Sequence, residues 1–311
     1  MITRREFLKM AAALAAAYGI QGLPAPVAAA LNTLGPEGVP RLIHLQGLAC
    51  SGCSISLLQA DSPSILPLIT DYSQLGFHSD LSAVSGKKAL DLIDAFLSGK
   101  AGEYYLTFEG AIPEAMPEAC VIGDNHLTDY LLKAAETMNG ALAVGACACD
   151  GGIPGAEGNP TGAIGLKQFF RSRGIDKLVV DIRGCSVHPD WVWHTVIRLV
   201  KAGLPKLVND SPALFFSRKV HEQCPRYHDF QEEIFAKHLS DKGCLFKLGC
   251  LGPDTPADCP TRWWNAGRTW CVNNNAPCVG CASPNFARAK SIPFYRISEN
   301  REVPHQQGDD E

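Results

Sequence analysis

Short apolar runs alternate with longer segments of helical periodicity from residue 41 onward, a pattern that predicts βαβ units around a parallel sheet. The runs at 41–45, 103–108, 141–144 and 177–182 are each followed within two residues by glycine and read as strands. The segment 54–59 reads as a helix behind the first of them. After Pro205 the periodicity breaks into short, proline-punctuated pieces. The expected architecture is therefore an α/β parallel-sheet domain over 31–205 followed by a small irregular domain over 206–311.

The N-terminal segment, 1–30, reads as an address rather than as structure. Thr3-Arg4-Arg5-Glu6-Phe7-Leu8-Lys9 precedes an alanine-rich apolar stretch at 10–20, then Pro24, Pro26 and the small residues Ala28, Ala29 and Ala30. That stretch falls short of the roughly 18 to 20 residues a bilayer span requires. The twin arginine resembles a Tat leader, the route for proteins exported after folding and cofactor loading. Loss of Arg4, Arg5, Lys9 and Glu6 with the leader takes 28 basic and 32 acidic residues to 25 and 31, a mature charge of −6. No later run reaches spanning length, so a periplasmic protein without its own anchor is expected.

With 311 residues, 46% hydrophobic and 19% charged, the chain can bury a large core, which excludes intrinsic disorder. A net charge of −4 argues against nucleic acid as a partner. The count that changes the picture is 13 cysteines. So many thiols mean either metal sites or a disulfide framework with one thiol left over.

Their placement favours metal. Cys50 and Cys53 follow the first strand, Cys147 and Cys149 the third, and Cys185 the fourth. Loops at the carboxyl ends of parallel strands converge on one crevice. The set Cys50, Cys53, Cys147 or Cys149, and Cys185 fits one iron-sulfur cluster. A thioredoxin-like redox pair at Cys50 and Cys53 is the rival reading, and Cys120 reads as a packing residue. In the second region His221, Cys224, Cys244, Cys250, Cys259, Cys271, Cys278 and Cys281 supply eight ligands, enough for two four-ligand sites. On spacing alone these also suit two structural zinc ions or a disulfide module. Trp263, Trp264, Trp270 and Phe286 lie among them; each taken singly reads as core packing, and together they would keep water from the sites. His78, His126 and His188 have no cysteine at ligand spacing and read as structural or surface residues.

Taken together, these segments resemble the small subunit of nickel-iron hydrogenases over nearly the whole mature chain. The resemblance is carried by Leu45-Gln46-Gly47-x2-Cys50-x-Gly52-Cys53-Ser54, by Glu109-Gly110-Ala111-Ile112-Pro113, and by Val144-Gly145-Ala146-Cys147. Gly184-Cys185 with His188-Pro189-Asp190, His221-x2-Cys224, and Cys278-x-Gly280-Cys281 complete it. It implies a flavodoxin-like first domain and three clusters. The proximal 4Fe-4S cluster would use Cys50, Cys53, Cys147 and Cys185, with Cys147 preferred over Cys149. The distal 4Fe-4S cluster would use His221, Cys224, Cys244 and Cys250.

The medial site departs from the commonest family pattern. Many members carry proline at the position of Cys271 and bind a 3Fe-4S cluster. Here Cys259, Cys271, Cys278 and Cys281 offer four thiolates, so a 4Fe-4S cluster is expected, as in the nickel-iron-selenium subgroup. Ser186-Val187 and Cys149-Asp150 are further departures beside the proximal site. The resemblance implies an electron wire for H2 = 2 H+ + 2 e−, partnered by a nickel-iron large subunit and by a periplasmic or membrane cytochrome. Glu109 would serve proton movement or the contact between the subunits, or be an ordinary loop carboxylate. The rivals are the iron-sulfur subunit of another exported oxidoreductase and a zinc- or disulfide-stabilised periplasmic binding protein.

Overall fold

The computed structural model describes residues 41–287 apart from 62 and 285; the expected leader at 1–30 lies outside the described residues. Five strands, β1 (Arg41–Gln46), β2 (Gln74–His78), β3 (Tyr104–Glu109), β4 (Gly140–Val144) and β5 (Val179–Ile182), form one sheet in the order β2-β1-β3-β4-β5. Every neighbouring pair is parallel. This is the doubly wound, flavodoxin-like order, whose crevice opens between β1 and β3. The register places Gln46 against Glu109 there, at the carboxyl ends of the two strands.

The helices that cover the sheet are α1 (Gly52–Leu57), α2 (Lys87–Leu97), α3 (Leu127–Thr137), α4 (Ala146–Asp150), α5 (Leu166–Arg171) and α6 (Pro189–Ala202). Alternation along the strands builds a core on each face. Ile43, Leu45, Leu106, Phe108, Ala141 and Ala143 enter one core with Phe96 of α2, Leu131 of α3 and Phe169 of α5. Leu42, Leu142, Val144, Val180 and Ile182 enter the other with Leu57 of α1 and Trp191 of α6. That second core continues without a break into the cysteine-rich region through Phe215, Phe216, Trp270 and Cys278. Trp191, fully buried, packs its ring 5.0 Å from Phe216 and 5.7 Å from Trp264.

Strand β2 carries little strand signal in its sequence, because Gln-Leu-Gly-Phe-His lacks the apolar density of the others. Its glycine has a packing reason. A Cβ on Gly76 would lie 2.1 Å from the Phe96 ring of α2, so only glycine lets that helix approach. Helix α1 begins earlier than the expected 54–59. Ser51 takes a left-handed φ of 58°, and the Glu109 carboxylate receives the first free N–H groups of the helix.

Two polar anchors hold the irregular region to α6. His188 caps this helix, its Nδ1 accepting from the Asp190 N–H at 3.1 Å, while Nε2 lies 2.8 Å from the Trp263 carbonyl. Asp258 accepts from Trp191 Nε1 at 2.8 Å and from Arg262, which also reaches Asp190 at 2.9 Å. Because Asp258 precedes Cys259, this network fixes one of the candidate ligands against the sheet domain.

Candidate cluster sites

All thirteen cysteines are free, which removes the disulfide framework. Among the described residues no three His, Cys, Asp or Glu side chains close on a single metal ion.

Cys50 on the loop after β1, Cys53 in the first turn of α1, Cys147 on α4 and Cys185 after β5 lie at the carboxyl edge of the sheet. Burial pushes the Cys147 thiol up to about 12, and Cys185, Cys50 and Glu109 add to the shift as near negative charges. Burial also holds Cys53 well above the ordinary thiol range, reinforced by Glu109, Cys147 and Cys185. Cys185 is raised by burial and by Cys50. Cys53 and Cys147 thus both feel Cys185. Cys50 and Cys185 are exposed while Cys53 is buried, so the set opens at the surface.

Glycine makes the room. A Cβ on Gly145 would stand 2.5 Å from Cys53 Sγ, and one on Gly152 would stand 2.7 Å from Cys147 Sγ, both at positive φ. Neighbouring Cys149 turns the other way. Its sulfur donates to the Ala143 carbonyl at 3.4 Å, within the core beneath the sheet. Cys120 packs half-buried against the same core.

Glu109 is no ordinary loop carboxylate. It is 3% exposed and accepts from the N–H groups of Cys53 and Ser54 at 3.0 and 2.9 Å, and from the Ser54 hydroxyl. It thereby fixes the turn that carries Cys53. Next to it lies a pair that the sequence pattern did not single out. His44 and His78 stack at 3.9 Å and 7° between planes, both buried. His44 also contacts Thr107 Oγ1 at 3.0 Å. A histidine on an inward position of β1 was the available signal. His126, by contrast, is exposed.

In the cysteine-rich region His221, Cys224, Cys244 and Cys250 line one hollow with Arg226 and Val272. Burial raises Cys224, with Cys250 and Cys244 adding to it. The His221 ring sits edge-on to Phe230 at 4.5 Å and to Tyr227 at 5.0 Å. Burial lowers its pKa, which keeps the imidazole neutral and able to donate a lone pair to a metal.

The last four thiols form a third set. Burial raises Cys281 to about 12, with Cys278, Cys271 and Cys185 adding to the shift. Cys278 rises to about 11, by burial and then by Cys250 and Cys271. Cys259 is raised by burial and by Cys281, and Trp264 gives it a hydrogen bond. Trp270, just before Cys271, holds a buried indole N–H with no partner among the described residues. Phe286 and Ala146 pack beside Cys281.

The donor sets fit clusters rather than isolated thiols. Burial penalises a lone thiolate at Cys53, Cys147, Cys224, Cys259, Cys278 and Cys281, and a coordinated metal deprotonates and neutralises such a ligand outright. The glycine cradles leave space against the sulfurs, and Trp270 offers a spare N–H of the kind that bonds cluster sulfur.

Two family models match the chain. One is NADH ubiquinone oxidoreductase, 20 Kd subunit, over residues 50–199; the other is the C-terminal part of the NiFe/NiFeSe hydrogenase small subunit, over residues 216–295. Fold and sites thus define an iron-sulfur subunit of an oxidoreductase complex. The chain belongs to the nickel-iron hydrogenase small-subunit family. It is 38% identical to the periplasmic NiFeSe hydrogenase small subunit of Desulfomicrobium baculatum, over 94% of this chain and 98% of that one. It is 32% identical to the hydrogenase-2 small chain of Escherichia coli K12, over 99% of this chain and 84% of that one. The solved H2-activated NiFeSe hydrogenase of D. baculatum superposes with a TM-score of 0.78 at 37% identity, covering 83% of this chain and 98% of that one.

Proposed function

We propose that this chain is the electron-relay subunit of a periplasmic nickel-iron hydrogenase, passing electrons between the nickel-iron site of a large subunit and an external acceptor. The observation that carries this reading is the serial arrangement of the three thiol sets. The backbone of Cys185 hydrogen-bonds the Cys281 thiol, and the backbone N–H of Cys278 bonds Cys250 Sγ at 3.3 Å. One set therefore leads to the next, from the sheet edge to His221.

Bound to these residues, iron-sulfur clusters supply one-electron storage and transfer. The proximal 4Fe-4S cluster is assigned to Cys50, Cys53, Cys147 and Cys185. The medial is assigned to Cys259, Cys271, Cys278 and Cys281 as 4Fe-4S, because a fourth thiol is present to hold a fourth iron. The distal 4Fe-4S cluster is assigned to His221, Cys224, Cys244 and Cys250. The chain contributes rigid spacing, exclusion of water by Trp263, Trp264 and Trp270, and hydrogen bonds to sulfur. No described residue is assigned a bond-breaking step.

The exposed proximal edge faces the large subunit. The acceptor is a periplasmic or membrane cytochrome approaching the His221 end. Residues 1–30 act as a Tat leader, and 31–205 and 206–311 are the two domains. No helix among the described residues is long and apolar enough to cross a membrane. The test is to co-purify the chain with its partner under anaerobic conditions and assay hydrogen-dependent dye reduction. A nickel-containing complex that reduces the dye supports the proposal; a nickel-containing, reductively activated complex that does not would overturn it.

A further inference from the structure

Arg183 and Asp150 form a buried ion pair that the electron-relay reading does not use. Arg183 is two residues before Cys185, and Asp150 ends α4, three residues after Cys147. The guanidinium makes five hydrogen bonds. Nε and Nη2 reach the two Asp150 oxygens at 3.0 and 3.1 Å, in a bidentate fork. Nη2 also donates to Asp181 at 3.0 Å, and Nη1 donates to Ser211 Oγ at 2.8 Å and the Asn209 carbonyl at 3.3 Å. All the donor capacity of an arginine is thereby engaged. The Arg183 side chain is 7% exposed and that of Asp150 17%.

From this geometry we infer that the Arg183–Asp150 pair is a positioning clamp for the proximal site, holding the loop that carries Cys147 at a fixed distance and orientation from the loop that carries Cys185. The two loops are otherwise joined by backbone bonds that continue the β4–β5 pairing, Gly145 N–H to the Ile182 carbonyl and Ala146 N–H to the Gly184 carbonyl, each at 2.8 Å. Those bonds set the strands' separation. They act only at the entry of α4, at Gly145, whose φ is 90°, while Ala148 and Cys149 seat the middle of the helix in the core. The fork fixes the far end of α4, since a planar guanidinium donates to a carboxylate bidentately in one orientation. Asp181 and Ser211 hold the guanidinium itself, so the clamp is anchored to β5 and to the segment beyond α6. Arg183, two residues from Cys185, and Asp150, three from Cys147, also place a positive and a negative charge in a largely buried setting, where charge is weakly screened.

The inference rests on the proximal-cluster assignment, and the experiment separates the two. The anaerobically purified heterodimer is followed by EPR during a redox titration, for the wild-type chain and for Asp150→Asn, Arg183→Gln and Arg183→Lys. A wild-type heterodimer without a proximal signal would remove the assignment itself. With that signal present, Asp150→Asn should raise the proximal midpoint potential, because a negative charge is lost. Arg183→Gln should lower it, because a positive charge is lost. Medial and distal potentials should stay in place. Arg183→Lys retains the charge but cannot form the fork, so it should broaden the proximal EPR line with a smaller shift in potential. It also serves if Arg183→Gln fails to assemble. Unchanged proximal potential and line shape in Asp150→Asn and Arg183→Lys would overturn the clamp, as would equal shifts of all three couples.

Discussion

The backbone N–H of Cys278 donates to the sulfur of Cys250 at 3.3 Å, so one hydrogen bond joins the third thiol set to the His221 set. An N–H directed at a ligand sulfur stabilises negative charge there and raises the potential of the centre it holds. It also gives a short bonded route between neighbouring sites. The corresponding link at the other end runs from the Cys185 backbone to Cys281.

In the proposed assignment Cys271 supplies the fourth medial thiolate. Its φ of −50° suits proline, so Cys271→Pro removes the thiol without straining the residue's own backbone. The variant should show an oxidised 3Fe-4S EPR signal and lose about one iron of the roughly twelve that three four-iron clusters contain. A wild-type protein already dominated by a stoichiometric 3Fe-4S signal would contradict the four-thiol assignment.

Gly145 tests the proximal cradle. A methyl group there would lie 2.5 Å from Cys53 Sγ, on a backbone with φ of 90°. Gly145→Ala should therefore reduce iron from about twelve to about eight per chain, with the other two clusters retained. Full iron content with an unaltered proximal signal would show that the sulfur does not occupy this space.

Glu109 supports Cys53 from below. Glu109→Ala leaves the buried N–H groups of Cys53 and Ser54 without their acceptor, at about 2 to 5 kcal/mol for the two. Thermal unfolding of the complex should occur at lower temperature, with earlier release of iron. An unchanged unfolding temperature would mean that water replaces the carboxylate at no cost.

How far the sequence foretold these features depended on the range of the interactions involved. The strands ending near Cys50, Cys147 and Cys185 were legible because apolar alternation and a following glycine are local signals. Strand β2 was hidden, since Gly76 answers to Phe96 of a helix eleven or more residues further on. The cysteine sets could be grouped by spacing and family motif. The choice between Cys147 and Cys149 has a geometric correlate only in three dimensions, where one sulfur meets Cys50 and Cys185 and the other enters the core. Glu109 was visible as a motif residue, but its role needed the fold that brings the end of β3 to the start of α1. The His44–His78 stack was invisible for the same reason, as it joins strands separated by α1.

The stack makes stability depend on pH. Burial pulls His78 down to about 4, only partly opposed by Asp80, and the Asp80 N–H donates to its Nδ1 at 3.1 Å. The folded pKa lies below the unfolded value, so the folded state binds fewer protons in between. This contribution is fully present above about pH 6.5 and is lost as pH falls from 6.5 towards 4, on the order of 3 kcal/mol in total. Denaturation of the wild type and of His78→Phe across this window should diverge, the variant having the flatter profile. Parallel profiles would contradict a neutral, buried His78.

In the proposed relay, electrons from hydrogen enter this chain. Admitting H2 to the anaerobically purified, nickel-containing complex should bleach the broad iron-sulfur absorption near about 400 nm, and an added oxidising dye should restore it. An intact, activated complex whose absorption stays unchanged under H2 would contradict the relay.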